Sequence, residues 1–140
     1  MGRVLEIVLH SPCRTKAGRP APFPCMNDYV HACRHSKYAG GKMEKKWRSW
    51  VEAKAREAAR AQGWEAPEGK VRLSMTWREA RANRDQDGIR WFEKPLLDGL
   101  KDAGVIRDDS QRCVEGMSRH ELAFSRSDPG VTVRVEAVDC

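Results

Sequence analysis

The chain is 140 residues long, enough for one domain, spanning 1–140, with a single buried core. Apolar residues make up 40% and charged residues 33%, a balance that excludes a disordered chain and a membrane-embedded one. Lysine and arginine outnumber aspartate and glutamate by 26 to 20, and the net charge of +6 favours a polyanionic partner such as nucleic acid without specifying one.

The first predicted element is a strand over residues 3–10. Leu5, Ile7 and Leu9 share one face and Val4 and Val8 the other, so the strand is expected at the centre of a sheet. Its apolar run "VLEIVLH" is broken by Glu6 and is too short for a signal peptide or a membrane span. A cytoplasmic location with no membrane partner is therefore expected. Residues 11–41 carry four prolines, three glycines and no clear period, and are expected to be a long functional loop.

Five cysteines, Cys13, Cys25, Cys33, Cys113 and Cys140, contain no CxxC pair and read as reduced thiols. "CMNDYVHACRH" gathers Cys25, His31, Cys33 and His35, but His-x-Cys-x-His matches none of the usual structural zinc spacings. These are expected to be loop residues near a basic surface.

From Met43 to Gln62 the spacing predicts a helix. Met43, Trp47, Trp50, Val51, Ala55, Ala58, Ala59 and Gln62 line one side, and Gly63 ends it. Glu44 with Arg48 and Glu52 with Arg56 are expected to pair along the surface. Lys45, Lys46, Arg48, Arg56 and Arg60 form the opposite side, a solvated face first and a phosphate contact second. Trp47 and Trp50 read as core. "VRLSMTW" alternates strictly and predicts a half-buried strand over residues 71–77. A second main helix is expected from about Gly88 to Ala103, closed by Gly104. "RCVEGMSRHELAFSR" predicts one or two strands and "GVTVRVEAV" the last. The order gives an α/β (α+β) domain, a small mixed sheet with two main helices.

Carboxylates concentrate around the second helix. Asp85 and Asp87 precede it, and in an extended backbone residues i and i+2 point to the same side. Asp108 and Asp109 follow it, and converge with the first pair only if residues 105–109 return beside the helix. Magnesium takes oxygen ligands from a few carboxylates, waters and substrate phosphates, so a converged set would suit it. Lys94 lies seven residues after Asp87, and Asp98 could hold its ammonium by an i,i+4 pair. Each piece alone also reads as a turn or a helix cap. An EF-hand loop starting at Asn83 is excluded, because its twelfth place, which must be a glutamate, is Lys94.

DxD, a helix bearing a lysine, "LLDGLKDAGVIRDDS" and a closing strand together resemble the RusA-type Holliday-junction resolvases, crossover junction endodeoxyribonucleases. The match is most specific across about 84–111 and extends more loosely to the first strand, to "PCMNDYVHACRHSKYAGG" and to the long helix. The resemblance implies a small homodimeric α/β nuclease that nicks four-way DNA junctions symmetrically in recombination and repair. Its cofactor would be Mg²⁺, with Mn²⁺ as a substitute, and no small-molecule cofactor is implied. By position, Asp85, Asp87 and Asp109 match the catalytic, metal-binding acids, with Asp108 beside them as a further metal ligand, and Lys94 matches the catalytic lysine. Arg84 and Asn27 match DNA-contacting positions. Lys42, Lys45, Lys46 and Arg48 are added as expected phosphate contacts. Two departures stand out: Gly88 occupies the place of an asparagine, and the spacing from Asp87 to Lys94 is about a helical turn longer than in the shortest members. That turn displaces the lysine by roughly 5 Å along the axis, and Pro95 would bend it. Two rival readings are a non-catalytic DNA-binding module whose aspartates cap and turn, and a phosphotransfer or nucleotidyl enzyme acting on a small substrate. The latter lacks a glycine-rich phosphate loop.

Overall fold

Alternating apolar residues build one four-stranded sheet. In the computed structural model, which describes residues 3–138, the strands are β1 (Val4–His10), β2 (Val71–Glu79), β3 (Arg119–Phe124) and β4 (Gly130–Ala137). Their order is β1-β4-β2-β3, with β4 antiparallel to β1 and β2, and β3 parallel to β2. The mixed sheet carries helices on one face, the α+β class read from the sequence. Cys140 lies outside the described residues.

β1 is an edge strand, not the central one its composition suggested. Leu5, Ile7 and Leu9 are buried, whereas Val4 and Val8 are 40% and 46% exposed. Valine favours the pleated backbone whether or not its face is covered, so two apolar faces did not mean two buried faces. Gln62 covers part of the free edge: its amide accepts the Glu6 N–H at 3.1 Å and donates to the Glu6 carbonyl at 2.7 Å.

The segment expected to be loop contains a helix, α1 (Met26–His35), and the long helix, α2 (Ala39–Gln62), starts four residues earlier than predicted. Asp28 caps α1 by accepting the Cys25 N–H at 2.8 Å. No residue of α1 is buried: its short apolar stripe, Met26, Tyr29, Val30 and Cys33, stays largely exposed, with Tyr29 packed against the core. α2 buries Trp47, Val51 and Ala55 against the sheet and ends at Gly63, whose φ is +64°. Trp50 packs half-buried against the same core.

The second main helix is segmented into α3 (Gln86–Ile89), a 3₁₀ turn (Arg90–Phe92) and α4 (Glu93–Asp102). Pro95 explains the break: it has no N–H for the Trp91 carbonyl, and its ring crowds that carbonyl. α4 crosses α2 at Gly99, where an added Cβ would sit 2.6 Å from Val51 Cγ1 and 3.0 Å from the Arg48 carbonyl. Gly99→Ala is expected to cost about 1–3 kcal/mol through overpacking, read as a lowered midpoint in denaturant unfolding. No helix among the described residues is long and apolar enough to cross a membrane.

Candidate active site

β2 ends at Glu79, whose side chain is only 4% exposed, and the chain turns through residues 80–84 toward Asp85. Arg84 fixes that turn. Its guanidinium donates to both Glu79 oxygens at 2.7 Å and to the Phe23 carbonyl at 2.9 Å. Phe23 is itself locked, stacked on Phe92 at 4.2 Å with Trp47 edge-on at 5.5 Å. Arg84, expected to contact DNA, is spent largely on this inward clamp.

Asp85 and Asp87 follow directly, both exposed. Only Asp85 has extended backbone; the helix begins at Gln86, so Asp87 stands in its first turn and the expected i,i+2 extended geometry does not apply. Carboxylates at a helix start lie in the favourable field of its free N–H groups. Asp85 occupies the N-cap position yet its side chain makes no capping bond, and Asp87 Oδ1 accepts the Gly88 N–H at 3.0 Å.

Lys94 is exposed and reaches Asp98 at 3.3 Å, the predicted i,i+4 pair. Four α-helical and three 3₁₀ steps from Asp87 place it about 12 Å further along the axis. Asp98 also meets Arg48 at 3.8 Å. Arg48, expected to pair with Glu44 and to touch phosphate, instead grips Asp102 of α4 at 2.5 and 2.8 Å, which raises its pKa. The Glu52–Arg56 pair forms at 3.7 Å.

Asp108 pairs with Lys101 in the last turn of α4 at 3.2 Å, and this bond holds its carboxyl below the usual range. Asp109, next in the chain, is exposed. The first acidic pair thus sits at the start of the helical stretch 86–102 and the second beyond its end, the stretch being about 25 Å long at roughly 1.5 Å per residue. Among the described residues, no three His, Cys, Asp or Glu side chains gather into a group able to hold a metal ion. That covers Asp85, Asp87 and Asp109, and also Cys25, His31, Cys33 and His35 along α1. Asp85 and Asp87 are each exposed, and a single such carboxylate already fits magnesium's commoner mode, in which one or two carboxylates share the ion with waters and substrate phosphates.

Lys42, Lys45 and Lys46 are exposed on α2. Asn27 lines a cleft of about 790 Å³ between the 13–25 segment, the start of α1 and the 79–84 turn. Arg19, Arg81 and Arg126 also line it. Sequence reasoning did not single out Arg81 or Arg126, since they lie in ordinary polar turns forty-five residues apart and nothing local ties one to the other.

Next to Lys94, Glu93 lies 3.2 Å from His120 Nε2 on β3, off the line of a hydrogen bond. Trp77 Nε1 approaches His120 Nδ1 at 3.0 Å. An indole N–H can only donate, so Nδ1 accepts and the ring's single proton sits on Nε2. Burial lowers the His120 pKa, outweighing the opposing pull of Glu93, and Arg90 acts in the same direction as burial. A histidine whose folded pKa is lowered contributes stability that is full above its unfolded value, about 6.5, and lost as pH falls below it. The melting temperature is therefore expected to drop between pH 7 and pH 5, and His120→Gln to flatten that slope relative to the parent. No family model matches the chain, and neither does any curated protein.

Proposed function

We propose that the chain is a cytoplasmic, Mg²⁺-dependent, structure-selective DNA endonuclease that resolves four-way junctions by paired symmetric nicks, as the RusA-type resolvases do. The observation that carries this reading is Asp85, an exposed aspartate at a helix N-cap whose carboxylate makes no capping bond. An aspartate serving only as a cap would give that oxygen to the helix.

Asp85 and Asp87 would hold the ion, with Asp109, and Asp108 beside it, completing its shell in the DNA complex. Magnesium bound there supplies charge neutralisation at the phosphodiester and a bound water of lowered pKa. Lys94, exposed on the same helical stretch about 12 Å along its axis from Asp87, would neutralise charge on the phosphate once its long side chain turns from Asp98 back toward Asp87. Asn27, Lys42, Lys45 and Lys46 contact the DNA backbone, and a two-fold homodimer supplies one site to each of the two equivalent strands. Arg84 acts by holding the turn that presents Asp85.

The test is cleavage of a synthetic four-way junction in magnesium against a chelator control. Paired nicks that require the metal support the reading, and intact junction under both conditions refutes it. The separation of Asp108 from Asp85 by a helix, with Asp108 held by Lys101, favours a second reading: a non-catalytic DNA-binding module. In that case Asp87→Asn binds DNA as well or better, with no cleavage to lose.

A further inference from the structure

The cleft beside the carboxylates carries charge that the fold does not use. Four arginines line it against two carboxylates, Asp28 and Glu79. Glu79 is already matched by Arg84, and Asp28 is engaged in capping α1. Arg19, Arg81 and Arg126 are exposed, and none makes an ion pair or side-chain hydrogen bond among the described residues. Three unpaired guanidiniums from three separate chain segments leave a concave surface with an unmet demand for anions. Their fork of donors matches phosphate oxygens.

We propose that this cleft is a phosphate-binding groove for one unpaired nucleic-acid strand, with Arg19, Arg81 and Arg126 each neutralising a backbone phosphate. That the phosphates belong to nucleic acid rests on the nuclease reading; the charge of the groove does not. The volume of about 790 Å³ is that of a pocket enclosing a drug-sized molecule, room for a short stretch of single strand and not for a duplex. Arg81 lies on the turn that runs directly into Asp85, so a strand seated here leads to the candidate carboxylates. The groove is also preshaped. The Thr15 N–H donates to the Arg19 carbonyl at 2.9 Å and the Ala21 N–H to the Cys13 carbonyl at 3.0 Å, closing a small hairpin that presents Arg19. Arg84 ties the opposite wall to Phe23. No aromatic side chain lines the cleft, so binding goes through the backbone and tolerates any base.

The test is fluorescence anisotropy of labelled oligothymidylate and oligoadenylate 12-mers, with chelator present so that cleavage plays no part. The parent is expected to bind both alike, and tighter than a 12-base-pair duplex. The triple variant Arg19→Ala/Arg81→Ala/Arg126→Ala is expected to lose affinity roughly tenfold or more at low salt, with the slope of log K against log salt falling by about 2. All three positions are exposed, and an unchanged circular-dichroism melt confirms that the variant folds. An unchanged affinity and slope in the folded variant overturns the proposal, as do duplex preference, or displacement of the strand by free mononucleotide at equal phosphate concentration. Because the junction assay is scored separately, failure of strand binding and failure of cleavage are told apart.

Discussion

Asp85→Asn is expected to slow magnesium-dependent nicking of a four-way junction by at least about 1,000-fold while leaving junction binding within a few-fold of the parent. A metal ion at the reacting phosphate stabilises charge by several kcal/mol, and each 1.36 kcal/mol is tenfold in rate. Asparagine keeps the size and turn-forming character of the residue but removes the charge that holds a hard cation. Asp85 makes no capping bond, so the fold has little to lose. Asp87→Asn is expected to behave alike. The second acidic pair is the informative contrast. Asp108 is neutralised by Lys101, so Asp108→Asn is expected to cost far less than Asp85→Asn. A loss at Asp109→Asn as large as at Asp85→Asn means that residues 105–110 move toward Asp85 in the DNA complex, or that a second copy supplies the acid. Single-turnover cleavage rates of the four variants settle the ranking.

The largest stability effect is expected at Arg84. Its ion pair with Glu79 is well sheltered, the side chains being 20% and 4% exposed. Burial alone would lower the Arg84 pKa, and the hydrogen bonds and charge of Glu79 outweigh it. Arg84→Ala leaves the Glu79 carboxylate buried with no counter-charge and the Phe23 carbonyl short of a donor, a loss of about 3–5 kcal/mol. For a chain of this size that lowers the melting temperature by roughly 10–17 °C. Replacing both partners by apolar residues, Glu79→Leu with Arg84→Met, is expected to recover most of the loss, since no charge is then stranded. Thermal melts of the single and double variants test this as a cycle. A drop of under 1 kcal/mol for Arg84→Ala would mean that Glu79 relaxes to solvent and that the turn before Asp85 is not held by the pair.

Local periodicity carried most of the fold. The alternation in "VRLSMTW" and "GVTVRVEAV" became β2 and β4, and the three- and four-residue spacing from Met43 to Gln62 became the body of α2. What periodicity does not encode was missed. α1 buries no residue, and its one short stripe, Met26, Tyr29, Val30 and Cys33, spans too few turns to stand out from the proline-rich segment before it, despite a working cap at Asp28. The broken third helix followed from Pro95, visible in the sequence as a kink but not as a 3₁₀ turn. β1 looked central because apolar residues occupy both of its faces, Leu5, Ile7 and Leu9 on one and Val4 and Val8 on the other, and only pairing order reveals an edge.

The candidate site was legible to the same degree. Asp85, Asp87, Lys94 and Asp98 are local to one helical stretch, and the Lys94–Asp98 pair formed at its predicted spacing. Contacts made across the chain were not legible. Arg48 was assigned to Glu44 by i,i+4 logic, but Asp102, fifty-four residues away, holds it at shorter range through two bonds. The arginines of the cleft come from three segments with nothing in common along the chain.

The central claim is that Asp85 and Asp87 hold a divalent cation, and paramagnetic broadening of backbone amide resonances by Mn²⁺ measures it directly. The expected result is broadening centred on residues 85–88 at substoichiometric Mn²⁺, abolished in Asp87→Asn and reversed by excess Mg²⁺. Unaffected lines at 85–88, with broadening elsewhere or none at saturating Mn²⁺, would contradict it.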